Sequence, residues 1–252
     1  MKKRIVLLLI LNLGFTLAFS QKGDHSLEIN DIGYFNKISI GPHVNLHFIQ
    51  GDEENVKIDY RRIDEEDIHV KLVGKTLKIY LDKSKNLPKK VKIYNGRYKE
   101  KVSVYDRSRV TAYVTVQDLK KIESKGEEYI YSDQPLVVDK LKIKSYGSSD
   151  IRLSSLKADR FKAVLWGDHN LRIKDGIVKK QVLKGIGDND IQNEDLISNI
   201  TKVGVLGDTQ VDVNAKDYLR LSSLGESVVK YSGLPRINRW FTIGENNMYR
   251  VR

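Results

Sequence analysis

Trp166 to Ile173 reads WGDHNLRI, and twenty positions later Ile186 to Asn193 reads IGDNDIQN. Either stretch alone has the glycine, acid and amide groups of a calcium loop or a catalytic acid cluster. The spacing argues otherwise. Glycines fall at Gly126, Gly147, Gly167, Gly187, Gly207 and Gly225, at intervals of 21, 20, 20, 20 and 18 residues. Four positions after them stand Ile130, Ile151, Leu171, Ile191, Val211 and Val229; four positions before stand Ile122, Ile143, Ala163, Leu183, Val203 and Leu221. Calcium-binding β-rolls repeat glycine and aspartate on a much shorter period, and leucine-rich repeats need a leucine and asparagine framework with a helical half. Neither pattern is present.

Between the glycines the chain alternates apolar with polar residues, as in LKIKSYG (Leu141 to Gly147), DIRLSS (Asp150 to Ser155) and LRIKDG (Leu171 to Gly176). That period of two puts one set of side chains on each face of a strand. The fold class is therefore all-β: a solenoid with about 20 residues per coil, each coil stacked about 4.8 Å from the last. The apolar positions become inward columns, and each glycine turns a corner that needs a positive φ.

Lys2, Lys3 and Arg4 precede the apolar run Ile5 to Phe19, and Ala18-Phe19-Ser20 places small residues before Gln21. Residues 1–20 read as a secretory signal peptide, leaving one domain at 21–252 that starts at Gln21. Fifteen residues interrupted by Asn12, Gly14 and Thr16 fall short of the roughly 20 needed to span a bilayer. The mature chain is thus expected not to be an integral membrane protein, and to reach the periplasm, the cell surface or the medium. No cysteine occurs, which excludes disulfides, a lipid-acceptor cysteine and a thiol nucleophile. The formal charge is +11, and loss of Lys2, Lys3 and Arg4 leaves +8. Such a charge favours polyanionic partners, an acidic glycan or an envelope polyanion. Nucleic acid is not expected, since no recognition-helix or RNA-binding motif appears.

DLKKIESKG (Asp118 to Gly126), the glycine-acid corners after it, the closing YSGLP (Tyr231 to Pro235) and the opening FNKISIGPHVNLHFIQGDEENVKI (Phe35 to Ile58) together resemble the head GIN domain family of auto-transporter adhesins, common among secreted proteins of Bacteroidetes. The resemblance spans Phe35 to Ile243. It implies a right-handed parallel β-helix and an adhesin-like role. The family usually carries Gly-Ser-Gly-Asp at its turns, and here only Gly185-Ile186-Gly187-Asp188 keeps both glycines. Residues 119–235 form the regular repeats. Residues 26–118 fit them less well, with DIHVKLVGKTLKIYLDK (Asp67 to Lys83) reading as two strands joined at Gly74, and are expected to be irregular first coils or a cap. Residues 236–252 are expected to cap the other end, because an open end exposes unpaired strand edges.

The catalytic signatures G-x-S-x-G, H-E-x-x-H and G-x-x-x-x-G-K are absent, so no cofactor or metal is expected. His43 and His47 lie four apart in a strand-like segment, too far for a metal pair. His169, between Asp168 and Asn170, reads as a solvated turn residue. Asp168, Asp188 and Asp208 each follow a corner glycine and are read as structural, accepting backbone N–H groups of their own turns in the manner of an Asx-turn. An alternative is an acidic-polysaccharide lyase or hydrolase on the same scaffold, using such acids with Arg172 or Lys184. The nearly equal repeats leave no long loops to enclose a sugar chain.

Two outward columns are candidates for binding. Lys142, Lys162, Lys202 and Arg220, interrupted by Val182, form a basic ladder suited to an anionic ligand. Tyr146, Trp166, Ile186, Leu206 and Leu224, each directly before a glycine, form an apolar stripe nearly 20 Å long at about 4.8 Å per coil, a candidate site for ligand binding or association. These readings describe a non-catalytic, exported, adhesin-like binding module, with a self-associating structural protein or other homo-oligomer as a further alternative.

Overall fold

The computed structural model describes residues 24–95 and 98–251; the expected leader lies outside them. Strands β1 (His25–Ile29), β2 (Lys37–Ile40) and β3 (Asn45–Gln50) open the chain. β2 and β3 are two sides of the first coil, and His43, left-handed at φ 67°, helps turn the corner between them. The chain then leaves the solenoid through β4 (Asn55–Arg61), β5 (Ile68–Val73), β6 (Thr76–Leu81), β7 (Lys90–Asn95), β8 (Tyr98–Ser103) and β9 (Arg109–Val116), and returns at β10 (Lys121–Gly126). β5 and β6 form the expected hairpin about Gly74. β6 lies parallel to β2, while β9 pairs parallel with β3 and antiparallel with β4, which pairs with β1. These strands shut the N-terminal end.

From β10 onward the coils are regular. β11 (Tyr129–Ile173), β12 (Gly176–Ile186), β13 (Asn189–Leu206) and β14 (Thr209–Leu224) are long because the chain keeps extended geometry through most corners; β15 (Ser227–Ser232), β16 (Arg236–Ile243) and β17 (Asn246–Arg250) complete the stack. Pairing between successive coils is parallel, and the sequence period is the pairing register. Trp166 lies beside Ile186, Ile186 beside Leu206, Leu206 beside Leu224, and Leu224 beside Ile243. The two apolar columns flanking the glycines are fully buried, at 2% exposure or less throughout.

The glycines are needed for two reasons at once. Gly147, Gly167, Gly187, Gly207 and Gly225 have φ between 105° and 121°, a region that side chains rarely adopt. A Cβ on any of them would also collide with the preceding corner glycine; on Gly167 it would run into the Gly147 carbonyl oxygen. Gly126 departs from the expectation, because it has no positive φ. It is glycine because the Glu128 carboxylate and Pro42 occupy the space a Cβ would need.

Within 236–252, the expected cap, β16 and β17 stack as a further coil. β16 stacks on β14 and β17 on β15, and among the described residues nothing pairs with their outer edges. Arg239 falls in register with buried Leu221, and Met248 with buried Val229. A bulge opposite Leu221 and Ser222 puts Trp240 out of register. No helix among the described residues is long and apolar enough to cross a membrane.

Candidate functional site

In the strand leading to each corner, side chains at four and two positions before the glycine point inward, so those at five, three and one point out. This one face therefore carries both candidate columns. Trp166 is 51% exposed, Ile186 39%, Leu206 42% and Leu224 43%, and the column continues to Ile243. Tyr146 is half-buried and meets Trp166 edge-on, ring centroids 5.8 Å apart. The stripe is solvent-facing, and among the described residues nothing folds over it.

The basic ladder lies beside it. Lys162, Val182, Lys202 and Arg220 are consecutive in register, and Lys142 sits beside Lys121 one coil earlier. Among the described residues none of Lys142, Lys162, Lys202 and Arg220 has an ion-pair partner. Partial burial, together with Lys144, Lys162 and Lys121, holds the Lys142 ammonium below its usual range. Lys202 does the same to Lys180, aided by burial and Arg160. The like charges beside Lys142 and Lys180 thus add to burial in disfavouring their charged forms. A groove of about 550 Å³ runs over this face, from Lys142 and Lys162 across Trp166, Ile186 and Leu206 to Phe241.

Across the corner the chemistry reverses. Asp168, Asp188 and Asp208 are exposed, with Glu226 and Glu245 continuing their column beside a second groove of about 530 Å³. Here the structure corrects the sequence reading: among the described residues no hydrogen bond holds these three aspartate side chains. The backbone after each aspartate runs straight into the ladder between coils: His169 donates to the Asp188 carbonyl, Asn189 to that of Asp208 and Thr209 to that of Glu226, at 3.0, 3.0 and 3.1 Å, and the residues two positions on, Asn170, Asp190 and Gln210, are ladder partners of one another. No metal-binding cluster of three or more His or acid side chains exists among the described residues.

His169 is a second correction. It is 2% exposed, not solvated, and its Nδ1 accepts the Ser149 N–H at 3.1 Å. Burial holds it below the usual histidine range. It belongs to an inward polar column two residues after the corner glycines, with Ser149, Asn189, Thr209 and Ser227. The first member, Glu128, accepts the His43 N–H at 2.8 Å and the Ser124 hydroxyl at 2.9 Å, and burial pushes its carboxyl up to about 7.

Neither catalytic alternative gains a constellation. Ser103 Oγ and His43 Nε2 are 2.7 Å apart, but Glu128 takes the backbone N–H of His43 rather than orienting its ring. Arg172 and Lys184 stand on opposite sides of the corner and line separate grooves.

Residues 34–235 match the family model described as "Putative auto-transporter adhesin, head GIN domain". No curated protein matches the sequence. Among solved structures, the chain is similar to a "putative adhesin" from Bacteroides fragilis, with 22% identity and a TM-score of 0.68 over 91% of this chain and 98% of that one. It is similar to a "putative lipid binding protein" from Parabacteroides distasonis, with 16% identity and a TM-score of 0.64 over 92% and 98%. A "putative adhesin" from Parabacteroides merdae follows at 14% and 0.57, over 91% and 96%. Identities this low carry the fold.

Proposed function

The chain belongs to the family described as "Putative auto-transporter adhesin, head GIN domain", and from that premise we propose that it is an exported, non-catalytic binding module of the cell envelope whose ligand is an acidic glycan. The observation that supports this reading is the pairing, on one sheet face, of an exposed apolar stripe with an uncompensated basic ladder. A linear polyanion laid along the solenoid axis meets a cation on most coils, while Trp166 and Tyr146 offer flat faces for sugar rings. The acid column across the corner repels the same polymer, at about 1 kcal/mol per charge pair in water at contact, and so confines it to the basic side.

Binding of the mature chain to a polyuronate, followed by calorimetry at several salt concentrations, tests this. Affinity should fall as salt rises. Trp166→Ala should weaken binding about tenfold, equivalent to roughly 1.4 kcal/mol, with the melting temperature unchanged because half of the ring is already in water. Unaltered binding in Trp166→Ala together with Lys162→Gln would remove the face from consideration. Shortened glycan chains in the same tube would establish the lyase or hydrolase alternative, and concentration-dependent filaments the structural one.

A further inference from the structure

We propose that the uncovered last coil is an anchor for an anionic phospholipid surface. Trp240 is 67% exposed, and Leu234, Ile243 and Tyr249 of the same coil are more than half exposed. Nothing in the fold requires this. The coil below holds buried Leu219 and Leu221 at the positions where this coil presents Ile237 and Arg239 to solvent, while Met248, in register with buried Val229, is only partly buried.

An open end could pair with another strand, but its backbone is blunted against that. Pro235 precedes β16, the bulge at Trp240 breaks its regularity, and Arg239 takes an inward position. These devices discourage edge-to-edge pairing. A second copy is further opposed by charge, since Leu234 to Val251 carries Arg236, Arg239 and Arg250 against the single acid Glu245. A two-fold contact would set arginines against arginines. What remains attractive at this end is its side chains. Arginine with tryptophan, tyrosine and aliphatic residues suits the headgroup level of a bilayer, where apolar bodies enter and charged or polar tips meet phosphate and water. Arg220 already lies over the Trp240 ring, 4.1 Å from its centroid, so ring and cation are presented together. Entry must stop at the headgroups, because a free strand edge is not tolerated in hydrocarbon. At that depth the unpaired N–H groups of β16 can donate to lipid phosphates. The solenoid would then stand on its C-terminal end, leaving the long sheet face free. The inference shares Arg220 and Ile243 with the sheet face but does not rest on the glycan reading.

The chain holds two tryptophans, so Trp166→Phe leaves Trp240 as sole reporter and Trp240→Phe leaves Trp166. Each mature variant is mixed with vesicles of phosphatidylcholine, with or without phosphatidylglycerol. Trp240 emission should shift to the blue with the phosphatidylglycerol vesicles alone, and the shift should fade with salt. Trp166 emission should stay put. Arg236→Gln and Arg250→Gln, both at exposed positions, should each weaken co-sedimentation about fivefold without lowering the melting temperature. An absent Trp240 shift, or vesicle binding unchanged in the double arginine variant, would overturn the proposal. So would a Trp240 shift that appears without lipid as protein concentration rises, which would assign the end to a second copy. A Trp166 shift in place of Trp240 would move lipid binding to the sheet face.

Discussion

At its N-terminal end the solenoid is shut by β5 and β6 over one sheet and by β4 and β1 over another, whereas at its C-terminal end β16 and β17 stack on the coil before them and no other described strand stacks on β16 and β17. The shut end has traded repetition for burial: Phe35, Phe48, Leu77 and Leu81 are all fully buried there. The open end keeps the repeat and leaves its apolar residues in water. A terminal coil therefore need not be a cap, and where it is not, the residues it exposes are candidates for function.

Truncation at the two ends breaks or sharpens this contrast most directly. Phe48→Ala should cost about 3–5 kcal/mol, whereas Trp240→Ala, which removes a larger ring from the open end, should cost about 0.5 kcal/mol or less. Urea denaturation of the pair measures both, and similar losses would mean that the open end is covered in solution. A second comparison sets the stack against the cap. Gly167→Ala should cost about 3 kcal/mol or more, adding φ strain to a collision with the coil below. Gly74→Ala, in the cap hairpin with open space around it, should cost about 1 kcal/mol for its left-handed φ alone.

A pH-dependent effect belongs to the shut end. Glu128 rises from 4.5 to about 7 on folding, so its contribution to stability is best below pH 4.5 and is lost as pH rises through 7, by at most about 3 kcal/mol. His43 and His169 are lowered from 6.5 by burial. Their penalty appears as pH falls below 6.5. Glu128→Gln, which keeps an acceptor for the His43 N–H, should stabilise the protein at pH 8 and leave a dependence in which melting temperature falls with acid, from the histidines and, at lower pH, from Glu123, whose carboxyl burial pushes up but Lys121 holds below its usual range. A variant as unstable at pH 8 as the parent would show that Glu128 is ionised and compensated in the fold.

The repeat was legible because inward columns need matching side chains on every coil, and Ile130 through Val229 and Ile122 through Leu221 all proved buried. The same phase also contained His169, since a residue two positions from an inward one must itself point in; its polar neighbours Asp168 and Asn170 suggested a loop where the chain is in fact extended. The aspartate hydrogen bonds failed for a related reason. An Asx-turn needs the chain to fold back within two residues, and here the residues after each aspartate run extended in the ladder between coils. The exposed columns could be placed on one face by phase alone. What could not be read was pairing at long range, such as β9 with β3 and β4, because nothing in a single strand names its partner.

The corner column also gives the molecule a unit of length. Excising residues 187–206 would join Ile186 to Gly207 and leave every inward, outward and corner position in its column, shortening the rod by one strand spacing of about 4.8 Å. Excising one residue fewer would exchange the two faces of everything downstream. The 18-residue interval before Gly225 shows where slack is taken up: the register slips between Asn193 and Ile197 and again between Ser198 and Ile200, on the side of the coil away from the glycines. Duplication or loss of whole coils can therefore tune how far such a protein reaches from its base while the fold stays the same.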